Sequence, residues 1–502
     1  MTSLQPSQTS VPVLSFEETK RFENGLLRNP DAEWKAMVHA GRGIGAAVLR
    51  DAEEIGGLGR QPRLLVLAGK GHNGGDALIA AQALLEYLPL AHAEVVLAFG
   101  ERAMRPLALR AWRDLQGAFP ERVLRRVDVH SLGPGYDVCL DGIFGFQFRP
   151  PLSPSVDQIL KLVNDLPIQM RVAVDLPSGL GAANTFRADF TYATGIVKKP
   201  VLTLPQAGRI RFIDLGWRPV TSAENDLPEE ILLPELLRPF SAFRPVQGDK
   251  RTYGHLGVIG GSREFPGAVL MAVRAALRSG VGLLTAFVPE SLVPAFAAAV
   301  PEAMWVGWPE TERGGLALEG LHRLDERLPR LSALMLGPGL GRERETLSCV
   351  QESVRRVSLP IVLDADALQP EIVAAAKSVK ILTPHAGEFA RIAGQRDLVT
   401  AAHDLSATVV MKGPLTRISD GKKVSYALAG GPILARGGSG DHLAGIVGGL
   451  LAQVPSESYL AACRGVLWHG LAADAWTRHL GAVAVTSTQL VEYMPEVLRA
   501  VR

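Results

Sequence analysis

The sequence predicts an α/β protein made of two separate domains of that class. Three observations carry this. Short, wholly apolar runs alternate with longer helical runs, the alternation occurs in two blocks, and a proline-rich stretch divides them. Continuous apolar strands are expected where helices cover both faces of a parallel sheet. At roughly 100–200 residues per domain, the 502-residue length accommodates both blocks.

In the first block, Leu64–Leu67, Glu94–Leu97, Tyr136–Leu140 and Arg171–Val174 read as buried parallel strands, and Ala77–Tyr87 as the helix after the first. The stretch Trp217–Asp249 holds Pro219, Pro228, Pro234, Pro239 and Pro245 with little periodicity. It reads as the connection, though Ile231–Leu237 is apolar enough to pack. The second block restarts at His255–Gly260. A helix at Ala268–Arg278 follows, then strands at Leu283–Val288, Ala333–Leu336, Ile361–Leu363, Val379–Leu382 and Thr408–Met411, and an apolar helix at Asp441–Gln453. The expected division is 1–218, a connection 219–245, and 246–502. No repeat of 20–50 residues relates the blocks.

Composition narrows the function. With 47% apolar and 21% charged residues the chain builds a large core and is neither disordered nor fibrous. Lys plus Arg is 53 against 51 for Asp plus Glu, so no excess of basic charge argues for nucleic acid. Cys139, Cys349 and Cys463 are far apart and without CxxC spacing, which excludes a disulfide framework and a zinc cluster and points to a reducing cytoplasm. The opening MTSLQPSQTS lacks a signal pattern, and no run reaches 18 uninterrupted apolar residues, so no transmembrane helix is expected.

The first chemical constellation is LLVLAGKGHNGGDALIAAQALL, which sets Gly69, Gly71, Gly74 and Gly75 between a strand and a helix. Glycine permits positive φ and close backbone approach, and the helix start offers N–H groups to a diphosphate. The spacing is neither GxGxxG nor a Walker A loop, and a packing turn explains it equally well. Asp141 and Asp175 follow two further strands. Carboxylates there converge on the ligand crevice of an open α/β sheet, although each alone is explained as a helix cap. Asn73, Asp141 and Ser178 are oxygen donors suited to a hard cation.

The second constellation is RGGSGDHLAGIVGGLLA. Backbone N–H groups of Gly438–Gly440 at a helix start form an anion hole, and Asp441 beside it is placed to take a proton from a hydroxyl. Phosphoryl transfer needs both. Four more strand ends carry polar groups: the Gly/Pro loop Leu336–Arg342, Asp364 and Asp366, His385 and Glu388, and Lys412, which can meet a phosphate as a point charge.

The strings GKGHNGGDALIAAQALL, DGIFG and AVDLPSGL resemble the N-terminal epimerase domain of NAD(P)H-hydrate repair enzymes. HLGVIGGSREFPGAVLMAVRAALRSGVGLLTAFVP, GPGLG, VLDADAL, LTPHAGEF, VMKGPLT and GGSGDHLAGIVGGLLA resemble the ADP- or ATP-dependent NAD(P)H-hydrate dehydratase. The resemblance implies a Rossmann-like three-layer α/β/α domain followed by a ribokinase-like α/β domain. The first would interconvert R and S hydrates of NADH and NADPH. The second would dehydrate the S form at the expense of a nucleotide, releasing phosphate. By motif, His72, Asn73, Gly74, Gly75 and Asp76, then Gly145, Phe146, Gln147, Phe148, Arg149, Pro150 and Pro151, then Asp175, would bind the hydrate in the first domain. Asn73, Asp141 and Ser178 would bind K+. In the second domain Ala268, Gly339, His385, Glu388 and Asp441 would contact the hydrate. Lys412, Gly413, Pro414, Leu415, Thr416, Gly437, Gly438, Ser439 and Gly440 would contact the nucleotide, with Mg2+ bridging its phosphates. Asp441 and Asp175 are the expected proton-transfer groups. A homo-oligomer is also implied. The chain departs from the family pattern at His72, Ala77 and Gln147. Two other readings remain open on these residues: a small-molecule alcohol kinase of the ribokinase superfamily, and a dehydratase whose N-terminal half is a silent binding or assembly module.

Overall fold

The computed structural model describes residues 9–218 and 228–501. The start of the expected connection, 219–227, lies outside the described residues, as does the opening stretch 1–8. The chain forms two compact units, chiefly Val11–Ser222 and Ala223–Trp476 with Ala482–Arg502.

The first unit has strands β1 (Arg63–Ala68), β2 (His92–Leu97), β3 (Val123–Arg126), β4 (Tyr136–Gly142), β5 (Ile168–Val174), β6 (Phe190–Thr194) and β7 (Arg209–Ile213). They pair all-parallel in the order β3-β2-β1-β4-β5-β6-β7. That is the Rossmann order, with its switch point between β1 and β4. Leu64, Leu65, Val66 and Leu67 are wholly buried, as a strand covered on both faces requires. Helices α2 (Pro30–Ala52), α3 (His72–Tyr87) and α4 (Pro106–Ala118) share a core with one face, and α5 (Pro154–Asp165) with the other. Helix α1 (Phe16–Leu26) precedes them, held by a Ser15–Glu18 capping box. Register brings Ala68 level with Leu97 and with Gly142, so the strand ends share one edge.

The second unit has β8 (Glu229–Leu232), β9 (His255–Ile259), β10 (Leu283–Pro289), β11 (Met304–Trp308), β12 (Ala333–Leu336), β13 (Ile361–Leu363), β14 (Lys380–Leu382), β15 (Ala407–Met411), β16 (Thr416–Ser419) and β17 (Val424–Ala427). The order is β11-β10-β9-β12-β13-β14-β15-β16-β17-β8. Only β16 runs antiparallel to its neighbours. Strand β8 pairs with β17, and Leu236 and Leu237 are buried, so this part of the proline-rich stretch packs. Helices α6 (Pro266–Arg278) and α9 (Ser439–Gln453) cover one face of the sheet. Helices α7 (Arg344–Arg356) and α8 (Ala386–Ala393) cover the other. Helix α9 approaches α6 closely because it carries glycine at the contact. A Cβ at Gly445 would stand 2.1 Å from the Ala272 carbonyl oxygen, and one at Gly449 2.1 Å from Ser279 Oγ. No helix among the described residues is long and apolar enough to cross a membrane.

Candidate active sites

The glycine turn of the first unit differs from its sequence reading. Helix α3 begins at His72, so the HNGGD string is its first turn and not a loop. None of Gly69, Gly71, Gly74 and Gly75 has positive φ. Close approach is what three of them serve. A Cβ would fall 1.9 Å from the Ile143 carbonyl oxygen at Gly69, 2.1 Å from the Gly69 oxygen at Gly74, and 1.9 Å from Met37 Cε at Gly75. The turn therefore brings α3 down onto the β1 and β4 ends, with first-turn N–H groups free of intrahelical acceptors.

Asp141 lies within the last residues of β4, not beyond it, and is fully buried. Its carboxylate accepts the Ser178 N–H at 2.8 Å and the Ile143 N–H at 3.3 Å. Burial nevertheless raises its pKa to about 6, against these hydrogen bonds. Ser178 Oγ accepts the Phe144 N–H at 2.9 Å. The Asn73 amide meets the Phe144 and Val174 carbonyl oxygens, each at 2.9 Å. Asn73, Asp141 and Ser178 thus gather with two backbone carbonyls, and this oxygen-rich set fits a monovalent cation.

Asp175 follows β5 with φ +68°, a strained conformation for a residue with a side chain. Its carboxylate accepts the Lys198 ammonium and the N–H and hydroxyl of Thr194, each of the latter at 3.2 Å. Lys198 is 1% exposed. It stands in the short strand Val197–Lys198, where Val13 and Leu14 pair with it. Asp76 is buried with one oxygen lacking a hydrogen-bond partner, and burial followed by the Asp175 charge pushes its pKa well up. Glu23 on α1 is raised to about 7 by burial, with Lys198 opposing and Asp175 adding to the shift. Of the segment Gly145–Pro151, Phe146 lies 5.8 Å from Lys198 Nζ, and Phe148 stacks on Phe144 at 4.4 Å. Gln147 is exposed, and Arg149 turns back to the Phe146 and Phe148 carbonyls. His72 sits at the rim, paired with Glu33 at 3.0 Å. Sequence reasoning missed Lys198 and Glu23. Both are far from the glycine turn in the chain, and only the pairing of Val197–Lys198 and the seat of α1 bring them in.

In the second unit Asp441 occupies the first turn of α9, which begins at Ser439, two residues earlier than the sequence suggests. The N-cap Gly438 has φ +83°, and a Cβ there would meet Met271 Sδ at 2.4 Å, so both conformation and space call for glycine. The Gly438 carbonyl accepts two donors from His442, the backbone N–H at 3.0 Å and Nδ1 at 2.8 Å. Of the expected anion hole, the Ser439 N–H is already turned to the Arg436 carbonyl at 3.3 Å. Arg436 anchors the same turn through the carbonyls of Ile433, Ala482 and Val485. Asp441 is raised to about 6, first by burial, then by the charge of Asp364, while Lys412 opposes.

Lys412 Nζ lies 2.8 Å from Asp364 Oδ1 and 3.9 Å from Glu388 Oε2. A Cβ on Gly440 would be 3.3 Å from this ammonium, so Lys412 stands directly against the glycine turn. Burial opposes its charge, but Asp364, Glu388 and Asp441 hold its pKa above the usual range. Lys412 to Leu415 form the turn joining β15 to β16, which Thr416 begins, with Gly413 and Pro414 exposed. His385 and Glu388 make the capping box of α8: His385 Nδ1 accepts the Gly387 N–H at 3.0 Å, and Glu388 accepts the His385 N–H at 2.8 Å. Ala268 and Gly339 are neighbours, since a Cβ on Gly339 would be 3.1 Å from that of Ala268. These groups come from the carboxyl ends of β9, β12, β13, β14 and β15, one edge of the sheet.

Fold and sites together define a protein of two α/β units, each with polar groups gathered at the carboxyl ends of its parallel strands. Residues 256–496 match the family described as NAD(P)H-hydrate dehydratase, and residues 35–200 the YjeF-related protein N-terminus. The bifunctional NAD(P)H-hydrate repair enzyme of Moorella thermoacetica is 33% identical over 470 residues, covering 87% of each chain. That of Thermosynechococcus vestitus is 35% identical over 474 residues, covering 87% of this chain and 88% of the relative. A solved ADP/ATP-dependent NAD(P)H-hydrate dehydratase from Bacillus subtilis, co-crystallised with ATP and Mg2+, is 28% identical with a TM-score of 0.47. It covers 54% of this chain and 98% of its own. The chain belongs to the family of bifunctional NAD(P)H-hydrate repair enzymes, with an epimerase domain ahead of a dehydratase domain.

Proposed function

We propose that the two clusters divide the repair of hydrated NADH and NADPH as follows. In the second unit the C6 hydroxyl of the S hydrate is seated beside Ala268 and Gly339. Asp441 takes its proton as the hydroxyl oxygen attacks the terminal phosphoryl of ADP or ATP. The first-turn N–H groups around Gly438–Gly440 and the Lys412 ammonium stabilise the phosphoryl charge. The nucleotide lies against Lys412–Thr416 and Gly437–Gly440. Magnesium, when bound with the nucleotide, supplies charge neutralisation of its phosphates. Hydroxide is a poor leaving group and phosphate a good one. The C6–O bond then breaks as the ring nitrogen pair moves in, and a proton is lost to restore the dihydronicotinamide. His385 and Glu388 serve first to start α8, and through it to border the hydrate.

In the first unit Asp175 and Lys198, with Asp76 and Glu23 around them, move the proton needed for reversible opening at C6. A group held near 7 can both accept and give a proton at neutral pH, and Glu23 is such a group. Asn73, Asp141 and Ser178 would hold K+, which offsets the buried Asp141 charge and braces the Gly145–Pro151 segment. His72, Gly74 and Gly75 border the substrate diphosphate at the α3 start.

The observation that carries the reading is the placement of Asp441, raised to about 6, beside both Lys412 and the glycine turn. Incubating mixed hydrate epimers with each nucleotide, and following both epimers and inorganic phosphate, tests it. A stable phosphorylated product in place of released phosphate favours an alcohol kinase. Failure of R to convert to S favours a silent N-terminal half.

A further inference from the structure

In a Rossmann-type sheet the loop after the second strand reads the adenosine ribose of a dinucleotide. A carboxylate there takes the 2′-hydroxyl of NADH, and an arginine takes the 2′-phosphate of NADPH. The first unit has a pocket at this place. Strand β2 ends at Leu97, level with Ala68 of β1. The pocket beyond it, of about 710 Å³, is lined by Phe99, Glu101, Arg102, Met104, Arg113 and Arg125 among others. Arg113 comes from α4, Arg125 from β3, and Arg102 from the short turn Glu101–Ala103.

The charges decide between the two ribose forms. Three guanidiniums face one carboxylate, and Glu101 is held by Arg125 at 3.0 Å. Among the described residues Arg102 and Arg113 make no ion pair. Two unpaired arginines from different elements match the several oxygens of a phosphomonoester better than a hydroxyl. Phe99 and Met104 supply an apolar wall for a purine face.

The pocket is also joined to the hydrate cluster. Lys70, inside the glycine turn, lies 5.5 Å from the Phe99 ring, and the Lys70 carbonyl accepts the Arg105 N–H at 2.9 Å. Phe99 lies 5.8 Å from Phe144, whose carbonyl meets Asn73. An extended dinucleotide can therefore place its pyridine ring at Asp175, its diphosphate over the α3 start and its adenosine against Phe99.

We propose that the pocket formed by Phe99, Arg102, Arg113 and Arg125 binds the adenosine 2′-phosphate of NADPH hydrate and gives the epimerase domain a preference for the phosphorylated substrate. This rests on the epimerase reading above. The test compares the full chain with the double variant Arg102→Ala, Arg113→Ala on both hydrates. The ratio of kcat/KM for NADPH hydrate over NADH hydrate in R-to-S conversion is expected to fall about tenfold or more. Equal loss on both hydrates, as contact with the shared diphosphate would give, overturns the proposal, as does an unchanged ratio. If the unaltered chain converts neither hydrate, the epimerase reading fails and the pocket is judged by binding alone. Adenosine 2′,5′-bisphosphate is then expected to protect the backbone amides of residues 97–113 from hydrogen exchange, and adenosine 5′-monophosphate to protect them less. The double variant should lose the difference. No such protection in the unaltered chain overturns the proposal.

Discussion

Lys412 Nζ stands 2.8 Å from Asp364 Oδ1, and this pair lies under the turn that starts α9. Asp364 thus acts on two groups at once. It holds the lysine in place, and its charge helps keep Asp441 protonated up to about pH 6. A base held high accepts protons only once pH exceeds that value, so dehydration should decline on the acid side through about 6. Asp364→Asn removes one of the charges that raise Asp441, and the acid limb should move to lower pH. A limb that stays in place, measured as kcat against pH with saturating nucleotide, would show that Asp441 is not the titrating base.

Asp441→Asn keeps the shape of the turn and removes the proton acceptor. Turnover of the S hydrate should drop by about 10²–10⁴-fold, while nucleotide affinity by calorimetry changes little. Near-normal turnover removes Asp441 from the chemistry.

Lys198→Met breaks the buried pair with Asp175. Consumption of the R hydrate should fall to its spontaneous rate, with dehydration of pure S hydrate unaffected. The variant leaves a buried carboxylate unpaired, at a cost of about 3–5 kcal/mol. Asp175→Ala should give the same kinetic result, and melting curves for both variants separate unfolding from lost chemistry. Parallel loss on S hydrate would refute the assignment to epimerisation.

Potassium should raise the melting temperature of the unaltered chain more than lithium at equal ionic strength, because binding to the folded state alone is stabilising. Asp141 is raised to about 6 without a cation. The potassium increment should therefore shrink as pH falls through that range, since a neutral carboxyl holds no cation. Asp141→Asn should abolish it. An increment indifferent to both changes would place the ion elsewhere.

Gly445→Ala puts a methyl where the Ala272 carbonyl already lies. Overpacking of this kind costs about 1–3 kcal/mol. Since α9 carries Asp441, dehydration should weaken along with stability, and R-to-S conversion should persist. Unchanged stability by denaturant titration would mean that α6 yields easily.

The α/β class and the central strands of both units were legible because apolar runs bounded by glycine or proline leave little choice of period. Helix α2 was not. Gly41, Gly43 and Gly45 look like a loop, yet a Cβ at Gly41 would stand 2.6 Å from Ile79 Cβ, so glycine there makes room for α3. Strands β6 and β7 and the β16–β17 hairpin were also missed, being short and mixed in composition. At the sites, motif order found the strand-end residues. It could not find Lys198, Glu23 or Arg436, whose place depends on how distant segments meet. Of the two roles it gave the glycine turn, positive φ is absent, and the close approach at Gly69, Gly74 and Gly75 is to neighbouring protein atoms.

Helix α1 has a practical bearing on any shortened form of the protein. The span matching the YjeF-related N-terminus begins at residue 35, and Glu23 precedes it. A fragment trimmed at its start to residue 35 would retain the seven-stranded sheet and the glycine turn yet lack the carboxyl that burial raises to about 7. Inactivity of such a fragment would then reflect a missing acid, not a missing domain.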